Sequence, residues 1–167
     1  MEELRNELNK IKYGWYDNSG KLHKHIDKDY MLKYRMQTSE EMINHGYGVC
    51  WETVELEREY FEKNNIPCKS YFIVIARFRR YECHTFLVYE ENNKYYWFEH
   101  SWDKLKGVYE FDNLDELFDK VILEFPDIVK YKNYNPNDLE IYEYKKPKEH
   151  INCLGFYAHC FKSKKIR

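Results

Sequence analysis

The stretch Gly46-Tyr47-Gly48-Val49-Cys50-Trp51-Glu52-Thr53 decides how the rest of this chain is read. Two glycines punctuate a loop, and from Val49 the apolar residues 49, 50, 54, 56, 60 and 61 fall on one stripe of a helix running to about Lys63. Glu59 precedes Lys63 by one helical turn on the outer side. Asn64-Asn65-Ile66-Pro67 ends the helix, because the proline pushes Ile66 out of the helical region. Cys50 therefore stands on the first turn of a packed helix. A thiol reacts as its thiolate, and the positive end of a helix favours that form. A histidine must then reach the sulfur, and a carboxylate must orient the histidine.

Those partners lie downstream in strand-like runs: Tyr71 to Arg77, His84 to Tyr89, and Tyr95 to His100. Glu91-Asn92-Asn93-Lys94 joins the last two, and asparagine tolerates the positive φ of a two-residue hairpin turn. If Glu91 faces Lys94, His84 shares a sheet face with Trp97, Glu99 and Ser101, and His100 points to the other face. One extra loop residue exchanges Glu99 for His100, so the third member of the site is conditional on this turn.

Working outward, Leu4, Leu8 and Ile11 share one face of a helix over residues 2 to 12. Asp17-Asn18-Ser19-Gly20 turns a hairpin between Tyr13 and His25. Asp27 caps a helix to about Met36, and Ser39 starts another that ends before Gly46. Beyond Gly107, Leu114 to Phe125 reads as a helix capped by Asp112 or Asn113. Tyr131 to Asp138 reads as loop, Leu139 to Tyr144 as a strand, and Leu154 to Phe161 as a short helix. Helices first and sheet second predict a single α+β domain over residues 1–167.

The composition is 43% apolar and 34% charged, with seventeen tyrosines and ten phenylalanines, which predicts a core of rings with polar tips. A net charge of −2 gives no electrostatic reason to expect nucleic acid or a membrane surface. The chain shows no signal-type leader and no spanning run, so a cytoplasmic location is expected. Five dispersed cysteines read as reduced thiols; Cys68, Cys83, Cys153 and Cys160 read as packing residues. His150-x-x-Cys153 with His159-Cys160 has no common zinc spacing, and no metal or cofactor is expected, with a small zinc-binding protein through Cys83, His84 and His100 as a third reading. His23, His25 and His45 read as solvent-facing.

Gly48-Val49-Cys50-Trp51 on a helix, His84-Thr85-Phe86-Leu87-Val88 opening a strand, and Trp97-Phe98-Glu99 closing the next resemble the transglutaminase-like superfamily of papain-like cysteine enzymes. The resemblance covers roughly residues 37 to 105. Glutamate stands where that superfamily usually has aspartate, and His100-Ser101-Trp102 replaces its glycine-proline. The resemblance implies a papain/transglutaminase-like fold with the nucleophile helix packed on a small antiparallel sheet. It implies a cysteine peptidase, transamidase or deamidase that opens an amide bond of a protein or peptide through Cys50, His84 and Glu99. Gln37 is a candidate oxyanion donor by the same likeness or else a polar residue near the Ser39 cap, Trp51 reads as a packing ring with a substrate contact as its other reading, and Tyr47 is a candidate substrate contact. The alternative is a catalytically inactive version of the fold that serves as a protein-binding module.

Overall fold

The computed structural model of the chain describes residues 1–75, 82–128 and 135–167. The N-terminal third contains α1 (Glu2–Leu8), β1 (Lys12–Tyr13), β2 (Trp15–Tyr16), β3 (Leu22–His23), α2 (Tyr30–Lys33), α3 (Ser39–His45) and β4 (Tyr47–Gly48). The centre contains α4 (Cys50–Lys63), β5 (Cys68–Ile75), β6 (Cys83–Glu91), β7 (Lys94–Glu99) and β8 (Gly107–Phe111). The rest contains α5 (Leu114–Ile128), a 3-10 turn at Pro136–Asp138, β9 (Leu139–Tyr144), α6 (Cys153–Phe161) and β10 (Lys164–Lys165). The architecture is mixed α+β. Residues 76, 77 and 131–134 of the expected strand and loop lie outside the described residues.

A six-stranded antiparallel sheet in the order β10-β9-β5-β6-β7-β8 forms the centre. One face carries Phe72, Val74, Leu87, Tyr89 and Phe98 and is covered by α4 and α6; their Val54, Phe61, Phe156 and Cys160 complete that core. The other face carries Tyr71, Ile73, Phe86, Val88 and Trp97 and packs on Leu117, Phe118, Val121 and Phe125 of α5. The expected ring-rich core is present: Trp51 stacks on Phe156 at 4.1 Å, and Phe61 on Tyr89 at 4.7 Å. Such pairs add about 0.5–1.5 kcal/mol each beyond the burial of their area.

The hairpin that places the site has the expected register. Glu91 pairs with Lys94, and Asn92 and Asn93 take φ of 53° and 60°, the left-handed pair that a type I′ turn requires. His84 and Glu99 therefore share the face of Trp97.

Several boundaries differ from the sequence reading: β5 begins at Cys68 rather than Tyr71, α5 runs to Ile128 rather than Phe125, and three N-terminal helices change. The first helix stops at Leu8 because Lys12 and Tyr13 extend to pair in parallel with Tyr47 and Gly48. The second is one turn long because Tyr34 bridges Asp17 and Arg35 bridges Asn152, leaving those backbone groups no role in a helix. The third is capped by Thr38 rather than Ser39: Thr38 Oγ1 accepts from Glu41 N, and Glu41 Oε2 accepts from Thr38 N at 2.8 Å. Strand β8 was not foreseen. Asn113 Oδ1 accepts from Glu116 N at 2.9 Å, so Asn113 rather than Asp112 caps α5.

Candidate active site

Gly46 ends α3 with φ 68°, and the chain then turns through Tyr47, Gly48 and Val49 into α4. A Cβ on Gly48 would lie 2.5 Å from Sδ and 3.0 Å from Cγ of the fully buried Met42, so the close approach of loop and helix requires glycine there. Val49 has no capping side chain, and Glu52 does that work from within the first turn. Glu52 Oε2 accepts from Val49 N at 2.8 Å, and Oε1 accepts from Gln37 N at 2.9 Å and from the Tyr34 hydroxyl at 3.0 Å. Burial pushes the Glu52 carboxyl up to about 7 despite those donors. The amides of Glu52 and Thr53 both donate to Val49 O. Among the described residues none accepts from the amide of Cys50, one of the N–H groups that a helix start leaves without an intrahelical partner.

His84 is the second residue of β6, only 2% exposed, with its ring stacked on Trp102 at 3.9 Å. Its Nε2 donates to Glu99 Oε2 at 3.0 Å, and the Cys50 side chain is near enough to favour the protonated ring. Glu99 is fixed in turn by the Trp102 amide, which donates to its Oε1 at 3.0 Å. Burial pulls the imidazole down, but the Glu99 charge and hydrogen bond and the nearby Cys50 side chain prevail and raise it to about 9. A protonated ring beside the sulfur is thus the favoured state at neutral pH. Thr53 Oγ1 and Ser101 Oγ, 2.6 Å apart, tie the first turn of α4 to the segment after β7.

Cys50 opens onto a cleft of about 350 Å³ lined by Lys12, Tyr13, Thr53, Ser101 and Lys106, among others. Tyr13 is 56% exposed and stands opposite Gly48 in the β1–β4 pairing, beside the loop that leads into Cys50. The other four thiols are held in the protonated form by burial: Cys68 is pushed up to about 11 and Cys153 to about 12, and Cys83 and Cys160 also rise.

The expected Cys50, His84 and Glu99 come together, and the turn decides for Glu99 over His100. His100 instead lines the cleft beside Leu8, and its buried Nε2 has no hydrogen-bond partner among the described residues.

Gln37 corrects the sequence reading. Its Nε2 donates to Tyr47 O at 2.9 Å and toward Glu52 Oε1 at 3.4 Å, and its Oε1 accepts from His45 Nδ1 at 2.6 Å. It braces the loop from behind, with no amide hydrogen left for an oxyanion. The substrate reading of Trp51 is also corrected: at 2% exposure this residue is a core ring against Tyr34, Phe156 and Tyr157, because the residue after Cys50 turns to the packed side of α4. Tyr47 does not line the cleft; its ring lies over Gly14.

His23 and His45 are not simply solvated. His23 stacks on Trp15 at 4.0 Å and bonds Asp17 and Asp27, while His45 holds Gln37. Cys83, His84 and His100 do not converge: Cys83 faces Tyr157 and Trp51, and His84 faces Glu99 and Cys50. Sequence reasoning missed Tyr13, Lys12 and Trp102. The first two reach the site through a parallel pairing that leaves no local pattern.

No family model, curated protein or solved structure matches the chain. Among the described residues no helix is long and apolar enough to cross a membrane.

Proposed function

We propose that this chain is a thiol-dependent acyl-transfer enzyme of the papain/transglutaminase-like type, acting on amide bonds of proteins or peptides in the cytoplasm. The observation that carries the reading is the buried imidazole held between the Cys50 side chain and the Glu99 carboxylate. Cys50 gives its proton to His84 Nδ1, and the thiolate attacks the carbonyl carbon. A C–S bond forms while the carbonyl π electrons move to oxygen. The Cys50 amide donates to that oxyanion, a contribution on the order of 3 kcal/mol in the transition state. Collapse breaks the C–N bond, and the imidazolium proton leaves with the amine. Water or a second amine, deprotonated by His84, then releases the acyl group and the thiol. Glu99 keeps Nε2 protonated throughout, so Nδ1 is the nitrogen that exchanges protons.

The same geometry supports the fold assignment, since a cysteine at a helix start, a histidine heading one strand and an acid closing the next belong to that architecture. The test is a panel of peptidyl vinyl sulfones read by intact-mass and peptide mass spectrometry. A single adduct on Cys50, absent in Cys50→Ser and slowed in His84→Ala, is the expected outcome. No adduct with any peptide, in a chain that still folds, would overturn catalysis in favour of an inactive binding module.

A further inference from the structure

The charges around Cys50 are not balanced. Lys12 and Lys106 both line the cleft, and Asp103 is the carboxylate among its lining residues. Asp103 bonds Lys106 at 2.9 Å at the rim, its side chain 90% and that of Lys106 38% exposed, so it offsets part of the Lys106 charge and leaves Lys12 as the cleft cation without a carboxylate partner among the described residues. A second hollow of about 210 Å³ shares His100 and Lys106 with the first and is lined in addition by Arg5. Its carboxylate, Glu99, is committed to His84 and to the Trp102 amide. Among the described residues neither Arg5 nor Lys12 has a carboxylate within ion-pair distance. Nearby Glu7 is occupied by Lys10. A chain with net charge −2 thus places Lys12 and Lys106 against one carboxylate, Asp103, in the cleft of Cys50, with Arg5 in the adjoining hollow. Clefts in which one sign of charge prevails concentrate ligands of the opposite sign and raise their encounter rates by about 10-fold or more.

We infer that the substrate carries a carboxylate next to the scissile amide, as an acidic residue or chain-terminal carboxyl does, and that Lys12 and Lys106 hold it, with Arg5 extending the positive wall. This rests on Cys50 being the nucleophile of the proposed reaction, and it names the substrate class. An acidic residue bound beside Lys12 lies along the β1–β4 pairing, next to the loop that leads into Cys50. A basic residue in the same place meets like charges at both lysines.

The test compares two alkylating reagents of similar size, iodoacetate and iodoacetamide, at Cys50, with glutathione as the reference thiol. At low ionic strength the iodoacetate-to-iodoacetamide rate ratio at Cys50 is expected to exceed that of glutathione by about tenfold. Lys12→Gln/Lys106→Gln is expected to remove most of that excess, and Asp103→Asn to increase it. Because the imidazolium also attracts iodoacetate, the change in the lysine double variant is the deciding number. Raising salt to shorten the screening length below about 10 Å should lower the ratio in the wild type more than in the double variant. A ratio that the lysine substitutions leave unchanged overturns the proposal even if vinyl sulfones label Cys50. A ratio that falls as expected supports the anion site even if the chain turns over no amide. Peptidyl vinyl sulfones with glutamate, glutamine or lysine beside the warhead extend the test: glutamate fastest and lysine slowest supports it, and the reverse order contradicts it.

Discussion

His84 shows how three side chains set one another's chemistry. Burial alone would leave its imidazole neutral at pH 7, but the Glu99 charge at 3.0 Å and the nearby Cys50 side chain raise it to about 9. Replacing Glu99 by Gln removes the charge and keeps the shape. The expected result is a fall in kcat/KM on the order of 10²–10⁴. The alkaline limb of the pH profile, near pH 9 in the wild type, should also move toward neutrality. A Glu99→Gln variant with an unmoved limb would show that the charge is not what holds the proton. Cys50, His84 and Glu99 could be read from the sequence because each is fixed by a short pattern: a helix start, a strand start and a hairpin of known length. The oxyanion reading of Gln37 and the substrate reading of Trp51 failed because a side chain's direction at a helix border depends on what surrounds it. The Tyr47 carbonyl with the His45 ring, and the Phe156 ring, turn these two inward.

At the scale of elements, the site depends on how α3 hands the chain to α4. Gly46 supplies the left-handed turn and Gly48 the close approach to Met42. Gly48→Ala is expected to lower stability by about 1–3 kcal/mol through forced movement of a fully buried side chain, measured as a drop in urea midpoint. Because the shift is passed to Val49 and Cys50, alkylation of Cys50 should slow as well. A variant with unchanged midpoint would mean that Met42 repacks freely. The helix and strand spans from Cys50 to Glu99 were legible because their apolar periods are local and their ends are marked by Asn, Pro and Gly. Strand β8 escaped because Gly107-Val108-Tyr109-Glu110-Phe111 makes sense as a strand only once β7 lies beside it.

For the whole molecule, the sheet order was the least legible feature. Strand β9 inserts beside β5, and β10 adds outside it, pairings between segments far apart in the chain that no local pattern encodes. The buried groups enclosed by this packing give a pH signature for stability. His84, raised to about 9, stabilises fully below its ordinary 6.5, and that contribution is lost as pH rises through about 9. Glu52, raised to about 7, stabilises fully below its ordinary 4.5 and loses this as pH rises through about 7. Glu57, on the same helix, is raised by burial and by the Glu99, Glu55 and Cys50 charges, and acts in the same direction. Asp29 and Glu41 are lowered, so their contribution disappears as pH falls below the ordinary carboxylate range. Together these place the highest urea midpoint at about pH 5, with a decline toward pH 9. A midpoint that climbs from pH 5 to pH 9 would contradict the buried, proton-binding arrangement of these groups.

The pairing of sulfur and imidazole is tested most directly by residue-resolved alkylation. The chain is treated with limiting iodoacetamide at pH 6.5, and all five cysteines are quantified by peptide mass spectrometry in the wild type and in His84→Ala. The expected result is that Cys50 reacts at least about tenfold faster than Cys68, Cys83, Cys153 and Cys160 and loses most of that lead in the variant. Equal rates at Cys50 with and without the imidazole would contradict the site at its foundation.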